Sequence, residues 1–270
     1  MNKPHRLYIF TGKGGVGKTV LAKAFTRYLQ NQNINAVYLT FATSELGEVK
    51  TQNCVVEVDG IKHLALDLEK CAEGYIEKKL GSKMVASWIV KTPFFRALVN
   101  MIPGFNYLIY LGQALELLEA DKSLVFVLDS PASGHAVTMI EATSNFGQIF
   151  GTGLVFEDTN KMLSRLNDPH YAKVVIAALP SQMSWQESIE LKTSLGERTP
   201  ISCDIVLNNS LTPLFKNQDN IPHNLQEKLS FEESLIREQK EVIKAIIPHS
   251  LQQTPEKIER DLLGSLSPLL

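Results

Sequence analysis

The sequence predicts an α/β chain: a single doubly wound, mostly parallel sheet with helices on both faces. Three observations carry this. The apolar run Leu7–Phe10 leads into a glycine-rich loop and then a helical pattern. Apolar strand-like runs and helical patterns then alternate along the whole chain. The residues with recognisable chemistry fall just after the strand-like runs, at the carboxyl edge where open parallel sheets bind ligands. At 270 residues, 44% hydrophobic and 21% charged, the chain is long enough to bury one large core. One domain over residues 1–270 is expected, with a helical subregion at about 69–120.

Taken in order, Leu7–Phe10 is continuously apolar, as a central parallel strand is. Val20, Leu21, Ala24, Phe25, Tyr28 and Leu29 recur at helical spacing. The polar turn Asn31–Asn35 precedes a second strand, Ala36–Leu39, and Thr40–Gly47 follows at the ligand end of the sheet. His63–Leu68 reads as a short strand and Glu69–Leu80 as a helix. Met84–Ala120 is apolar and interrupted by Pro93 and Pro103-Gly104, so it divides into two or three helices. Leu124–Leu128 is the clearest buried strand and ends at Asp129. Helices follow to about Leu166. Val174–Leu179 and Cys203–Leu207 are strands, with a helix at Ser184–Leu195 between them. A charged helix at about Pro222–Gln239, the strand Val242–Ile247, Pro248 and a helix from about Thr254 complete the chain.

Composition excludes several classes. A net charge of −2 gives no support for nucleic-acid binding. The charge is uneven, however: Met1–Ser44 holds no acidic residue but six Lys and Arg, which suits a polyanionic ligand there. Cys54, Cys71 and Cys203 are far apart and form no metal-binding spacing, so they read as small apolar residues of a reducing compartment. No signal peptide is evident, and the longest charge-free run, Ala97–Leu115, is too broken to span a membrane. A cytoplasmic protein with no membrane span is expected.

The loop Gly12-Lys13-Gly14-Gly15-Val16-Gly17-Lys18-Thr19, between strand and helix, has the full spacing of a phosphate-binding loop. Its glycines let backbone N–H groups turn toward phosphate oxygens, and the helix start adds partial positive charge, so Val16 and Val20 also fall beside the ligand. Lys18 is placed to reach the outer phosphates and the Thr19 hydroxyl to ligate Mg²⁺. Asp129 ends an apolar strand, where a carboxylate is costly unless it meets a cation, and Mg²⁺ is the natural one. Gly134, five positions on, is placed to give its N–H to a terminal phosphate and so report its presence. These residues predict an ATP/ADP- and Mg²⁺-binding P-loop NTPase fold.

Lys13 is more than an ordinary phosphate loop needs. The KGGVGKT form of Lys13–Thr19 resembles the deviant Walker A loop of the MinD, nitrogenase iron protein and ArsA group of dimeric nucleotide switches. That resemblance implies that Lys13 crosses a subunit interface to the partner's nucleotide, which makes Lys13, Lys18 and Asp129 the catalytic candidates. The run Asp129–His135, DSPASGH, is similar to the switch segment of the arsenite-pump ATPase ArsA and of the related ATPase that targets tail-anchored membrane proteins. Leu179-Pro180 with Glu187–Leu191, Val206–Asn209 and Ile247-Pro248 resemble further stretches of that family. By the same resemblance Asn208 reads adenine, which its donor–acceptor amide suits, and Pro248 belongs to the adenine-side loop.

The family has an acid after its second strand that orients the attacking water. Alignment of Leu46-Gly47-Glu48 to that motif puts Phe41 in its place, and phenylalanine can neither accept a proton nor orient water. The resemblance therefore implies an ArsA-like, Mg²⁺-dependent, dimeric switch ATPase, slow in hydrolysis, paired with itself or with a related ATPase. One alternative is a non-hydrolysing, nucleotide-binding subunit of a mixed dimer with a catalytic paralogue. Another is a small-molecule kinase or ligase on the same scaffold. Residues 84–118 are apolar enough for a client-protein groove, for core, or for a dimer interface.

Overall fold

The computed structural model describes residues 3–42, 53–130, 138–140, 142–143, 153–216 and 221–270. Its strands are β1 (Leu7–Thr11), β2 (Asn35–Phe41), β3 (Val56–Val58), β4 (Ile61–Leu66), β5 (Leu124–Asp129), β6 (Ala172–Ala178), β7 (Ser202–Ser210) and β8 (Ile243–Pro248). They form an eight-stranded sheet of order β3-β4-β2-β5-β1-β6-β7-β8. Every pairing is parallel except that of β3 with β4. β1, buried at all five residues, lies between β5 and β6, so the loop after it and the end of β5 meet at one edge. The expected doubly wound α/β sheet is what the chain adopts.

The helices are α1 (Lys18–Asn31), α2 (Leu68–Leu80), α3 (Lys83–Lys91), α4 (Pro93–Met101), α5 (Phe105–Ala120), α6 (Leu154–Leu166), α7 (Gln182–Arg198), α8 (Thr212–Phe215), α9 (His223–Glu238) and α10 (Pro255–Asp261). The period-two alternation of the strands divides the core into two layers. Tyr8, Phe10, Tyr38 and Val127 face α1, where Leu21, Phe25 and Leu29 meet them together with Leu262, Leu266 and Leu269 near the carboxyl end. Leu7, Ile9, Leu39, Phe41 and Leu128 face the opposite layer, which α5 and α7 fill with Tyr110, Leu111, Leu118 and Leu195.

The stretch Leu68–Ala120 holds the four helices α2 to α5 and divides at cap residues. The Asp67 and Ser82 side chains accept from Lys70 N and Val85 N, and Gly81 ends α2 with a left-handed φ of 70°. Thr92 ends α3 and caps α4, whose first residue is Pro93. α5 is core rather than groove, whereas α3 and α4 leave several large apolar side chains in solvent. Among the described residues no helix is long and apolar enough to cross a membrane.

The hairpin of β3 and β4 was not expected from the sequence. Val56–Val58 is exposed throughout, so it lacks the apolar signal of the buried strands. Its turn is nonetheless written in Asp59-Gly60, both at positive φ (53° and 72°), the pairing that two-residue hairpins favour.

Candidate functional site

Gly12 and Gly17 of the loop are required for close approach. A Cβ on Gly12 would lie 2.4 Å from the carbonyl oxygen of Ala177 on β6, at a φ of 140°. One on Gly17, at φ 88°, would lie 2.5 Å from Asn208 Nδ2. Gly14 and Gly15 instead face open space, with no atom within 4 Å of an added Cβ, and Gly15 holds a left-handed φ of 81°. The loop is thus pressed onto β6 and β7 at its two ends and open in its middle. α1 begins at Lys18 with no capping side chain and no acid in its first turn, so its free N–H groups suit an anion.

Lys18 Nζ bonds back across the loop to the Lys13 carbonyl at 3.0 Å. Burial lowers its pKa, against the opposing pull of Asp129. Lys13 turns elsewhere: its ammonium pairs with Glu187 on α7 at 2.6 Å and lies 3.6 Å from the exposed Met183 sulfur. Both members of that pair are substantially exposed, so it is a weak tie.

Thr19 and Asp129 come together from positions 110 residues apart. Thr19 Oγ1 donates to Asp129 Oδ2 at 2.7 Å, and Tyr38 OH donates to the same oxygen at 2.9 Å. Burial raises the Asp129 pKa, opposed by these two hydrogen bonds and by Lys18 and Lys23. An all-oxygen pair carrying one poorly solvated carboxylate fits a hard divalent cation. The raised pKa also fixes a sign. Folding favours protonated Asp129, so its stabilising contribution is full below the ordinary carboxylate range and is lost as pH rises through the folded value. Burial makes the ionised form the costlier one in the folded chain without its cation. Asp129→Asn should therefore melt higher than wild type at neutral pH without divalent ions and lose any stabilisation by Mg²⁺, both read by calorimetric melting.

Asn208 Nδ2 donates to the Val16 carbonyl at 2.8 Å, tying the end of β7 to the loop. An amide has a second N–H and a carbonyl oxygen, so this bond leaves groups for a base. Beside it lies a cleft of about 170 Å³ bounded by Gly15, Val16, Gly17, Val20, Asn208 and Pro248, with Leu179 and Ile258 as apolar walls. The loop, Asn208 and Pro248 are thus brought to one cleft. Gly134 lies outside the described residues.

Phe41 is placed differently from the alignment. It ends β2 on the face away from α1, 3% exposed, with its ring stacked on Tyr110 at 4.4 Å and tilted against Tyr107 at 6.1 Å. Asp129, by contrast, meets Thr19 on the α1 side. Phe41 is therefore a core residue, packed against Tyr110 and Tyr107. Sequence reasoning also missed Tyr38, whose hydroxyl holds Asp129 and whose ring lies under Lys23 (5.8 Å) and beside His63 (5.0 Å). Its signal was a phenol in an otherwise apolar strand. Glu187 entered only as one residue of a motif, with no hint that it pairs with Lys13.

Residues 5–154 match the model of a protein family described as anion-transporting ATPase. An arsenical pump-driving ATPase of Acidiphilium multivorum is 25% identical over 227 residues, 77% of this chain and 35% of that protein. An adenylate kinase of Methanococcus aeolicus is 30% identical over 89 residues, 33% of this chain and 44% of that protein. The chain thus spans less than half the length of either curated relative.

Proposed function

This chain belongs to the anion-transporting ATPase family, and from that premise we propose that it is an ATP-binding, Mg²⁺-dependent switch that closes as a dimer. Nucleotide binding and ATPase activity are properties of the family. The observation that carries the finer reading is the meeting of Thr19 Oγ1 and Asp129 Oδ2 at 2.7 Å beside an open glycine loop. In this reading the loop amides from Gly12 to Thr19 and Lys18 hold the phosphates. Thr19 and Asp129 hold Mg²⁺, which when bound draws charge from the phosphate oxygens. Asn208 and Pro248 border the base, and Gly134 reports the terminal phosphate.

The dimer rests on Lys13. It is exposed and tied only weakly to Glu187, so exchanging that partner for a phosphate of a second subunit costs little. The second subunit is either another copy of this chain or a related ATPase. For an apolar protein client, α3 and α4 are the helices that leave Trp88, Phe94 and Met101 in solvent.

Hydrolysis is the slow part of this reading, because the position that aligns with the family's water-orienting acid holds Phe41, which can neither accept a proton nor orient water. The same observation favours a second reading, a nucleotide-holding subunit that turns over only with a catalytic partner. A kinase or ligase reading has less support: the adenylate kinase match covers one third of the chain, and such an enzyme has no use for Lys13.

Titration with fluorescent ATP, wild type beside Lys18→Ala, tests the proposal. Saturable, Mg²⁺-strengthened binding by wild type alone is expected, and negligible binding by both proteins ends it. Phosphate release followed in the same samples ranks the first two readings; brisk release by wild type alone sinks the second.

A further inference from the structure

Among the described residues, two successive helices leave large apolar side chains in solvent that the nucleotide reading does not use. α3 and α4, joined at the single residue Thr92, carry large apolar side chains at helical spacing on their solvent faces. Met84 and Trp88 form the stripe on α3, and Phe94, Ala97 and Met101 the stripe on α4. Met84 is 83% exposed, Met101 79%, Phe94 75% and Trp88 69%. Side chains this exposed stand clear of the surface. The walls of a groove built for a peptide helix would be partly covered by one another.

Charge decides the occupant. From Gly81 to Leu115 there is no Asp or Glu, while Lys83, Lys91 and Arg96 lie within or beside the two stripes and are exposed. Of these, Arg96 has a distant acidic partner, Glu69 at 3.9 Å. A second copy of the chain packed on this face about a twofold axis would bring its own cations against these. Protruding Trp, Phe and Met among cations is the chemistry of interfacial helices that lie in the headgroup layer of a bilayer. The helices are too short to go further.

We propose that the α3–α4 face is a peripheral docking surface for an anionic lipid bilayer, with Trp88 and Phe94 entering the headgroup region and Lys83 and Lys91 meeting lipid phosphates and carboxylates. One such face gives reversible association, weakened by salt.

Co-sedimentation of the full chain with vesicles tests this. Wild type should bind phosphatidylcholine vesicles containing phosphatidylserine and leave phosphatidylcholine vesicles in solution. Lys83→Glu with Lys91→Glu should weaken binding by about fivefold or more for each lysine changed. Phe94→Ser with Met101→Ser should abolish it while leaving ATP binding intact, since both side chains are in solvent. The chain has two tryptophans, so Trp185→Phe leaves Trp88 as the reporter, and its emission should shift blue and be quenched by brominated lipid. Failure of wild type to bind, equal binding to both vesicles, or binding that survives both double variants overturns the proposal. So does capture of an apolar helical peptide without lipid that Phe94→Ser abolishes, if vesicles are not bound; that result assigns the face to a protein client.

Discussion

Lys18→Ala is expected to weaken ATP binding by about 30-fold or more, the loss that roughly 2 kcal/mol produces. Lys18 is poorly solvated where it sits, which lowers its pKa. A charge held in that setting is felt strongly by an anion, because little water screens the pair. Its ammonium donates to the loop carbonyl of Lys13. The same desolvation makes the charge a cost to the free chain, so the variant should melt no lower than wild type without nucleotide. Equal affinities in wild type and variant, measured by titration calorimetry, would remove Lys18 from the phosphate site.

Gly12→Ala is expected to cost the fold roughly 3 kcal/mol or more, at the upper end for a single substitution. The added methyl meets the Ala177 oxygen at 2.4 Å, Val16 Cγ2 at 3.1 Å and the Ala177 nitrogen at 3.3 Å, and the backbone stands at φ 140°. The obstacle is the main chain of a fully buried strand, which cannot step aside as a side chain can. Gly14→Ala is the matched control: a Cβ there meets nothing within 4 Å. Denaturant midpoints of the two variants should separate widely. If they coincide, the packing of the loop onto β6 is wrong.

The parts most legible in the sequence were those where one signal dominates. Continuous apolar runs marked β1 and β5, because a strand buried on both faces has no polar side to confuse the pattern. The glycine loop was readable because its spacing encodes backbone shape directly. Edges were harder. β3 is exposed, and β7 runs on to Ser210 past the apolar run Ile205–Leu207, because pairing to β8 continues as far as Pro248.

Side-chain direction was hardest of all. Phe41 was aligned at a phosphate-facing position, yet odd-numbered residues of β2 point into the layer filled by α5. A one-residue change of parity decides between core and site. Tyr38, on the even side, was passed over as strand filler and holds Asp129 instead. The Lys13–Glu187 pair joins positions 174 apart, which no local pattern encodes.

The central claim is that triphosphate closes two subunits on one another through Lys13. Light scattering of the purified chain, 30.1 kDa as a monomer, tests it most directly. With ADP the mass should be that of one chain. With a non-hydrolysable ATP analogue and Mg²⁺ it should double, alone or on addition of a related ATPase, and Lys13→Ala should hold it at one chain. A mass indifferent to which nucleotide is bound, or doubling undiminished in Lys13→Ala, would contradict the account.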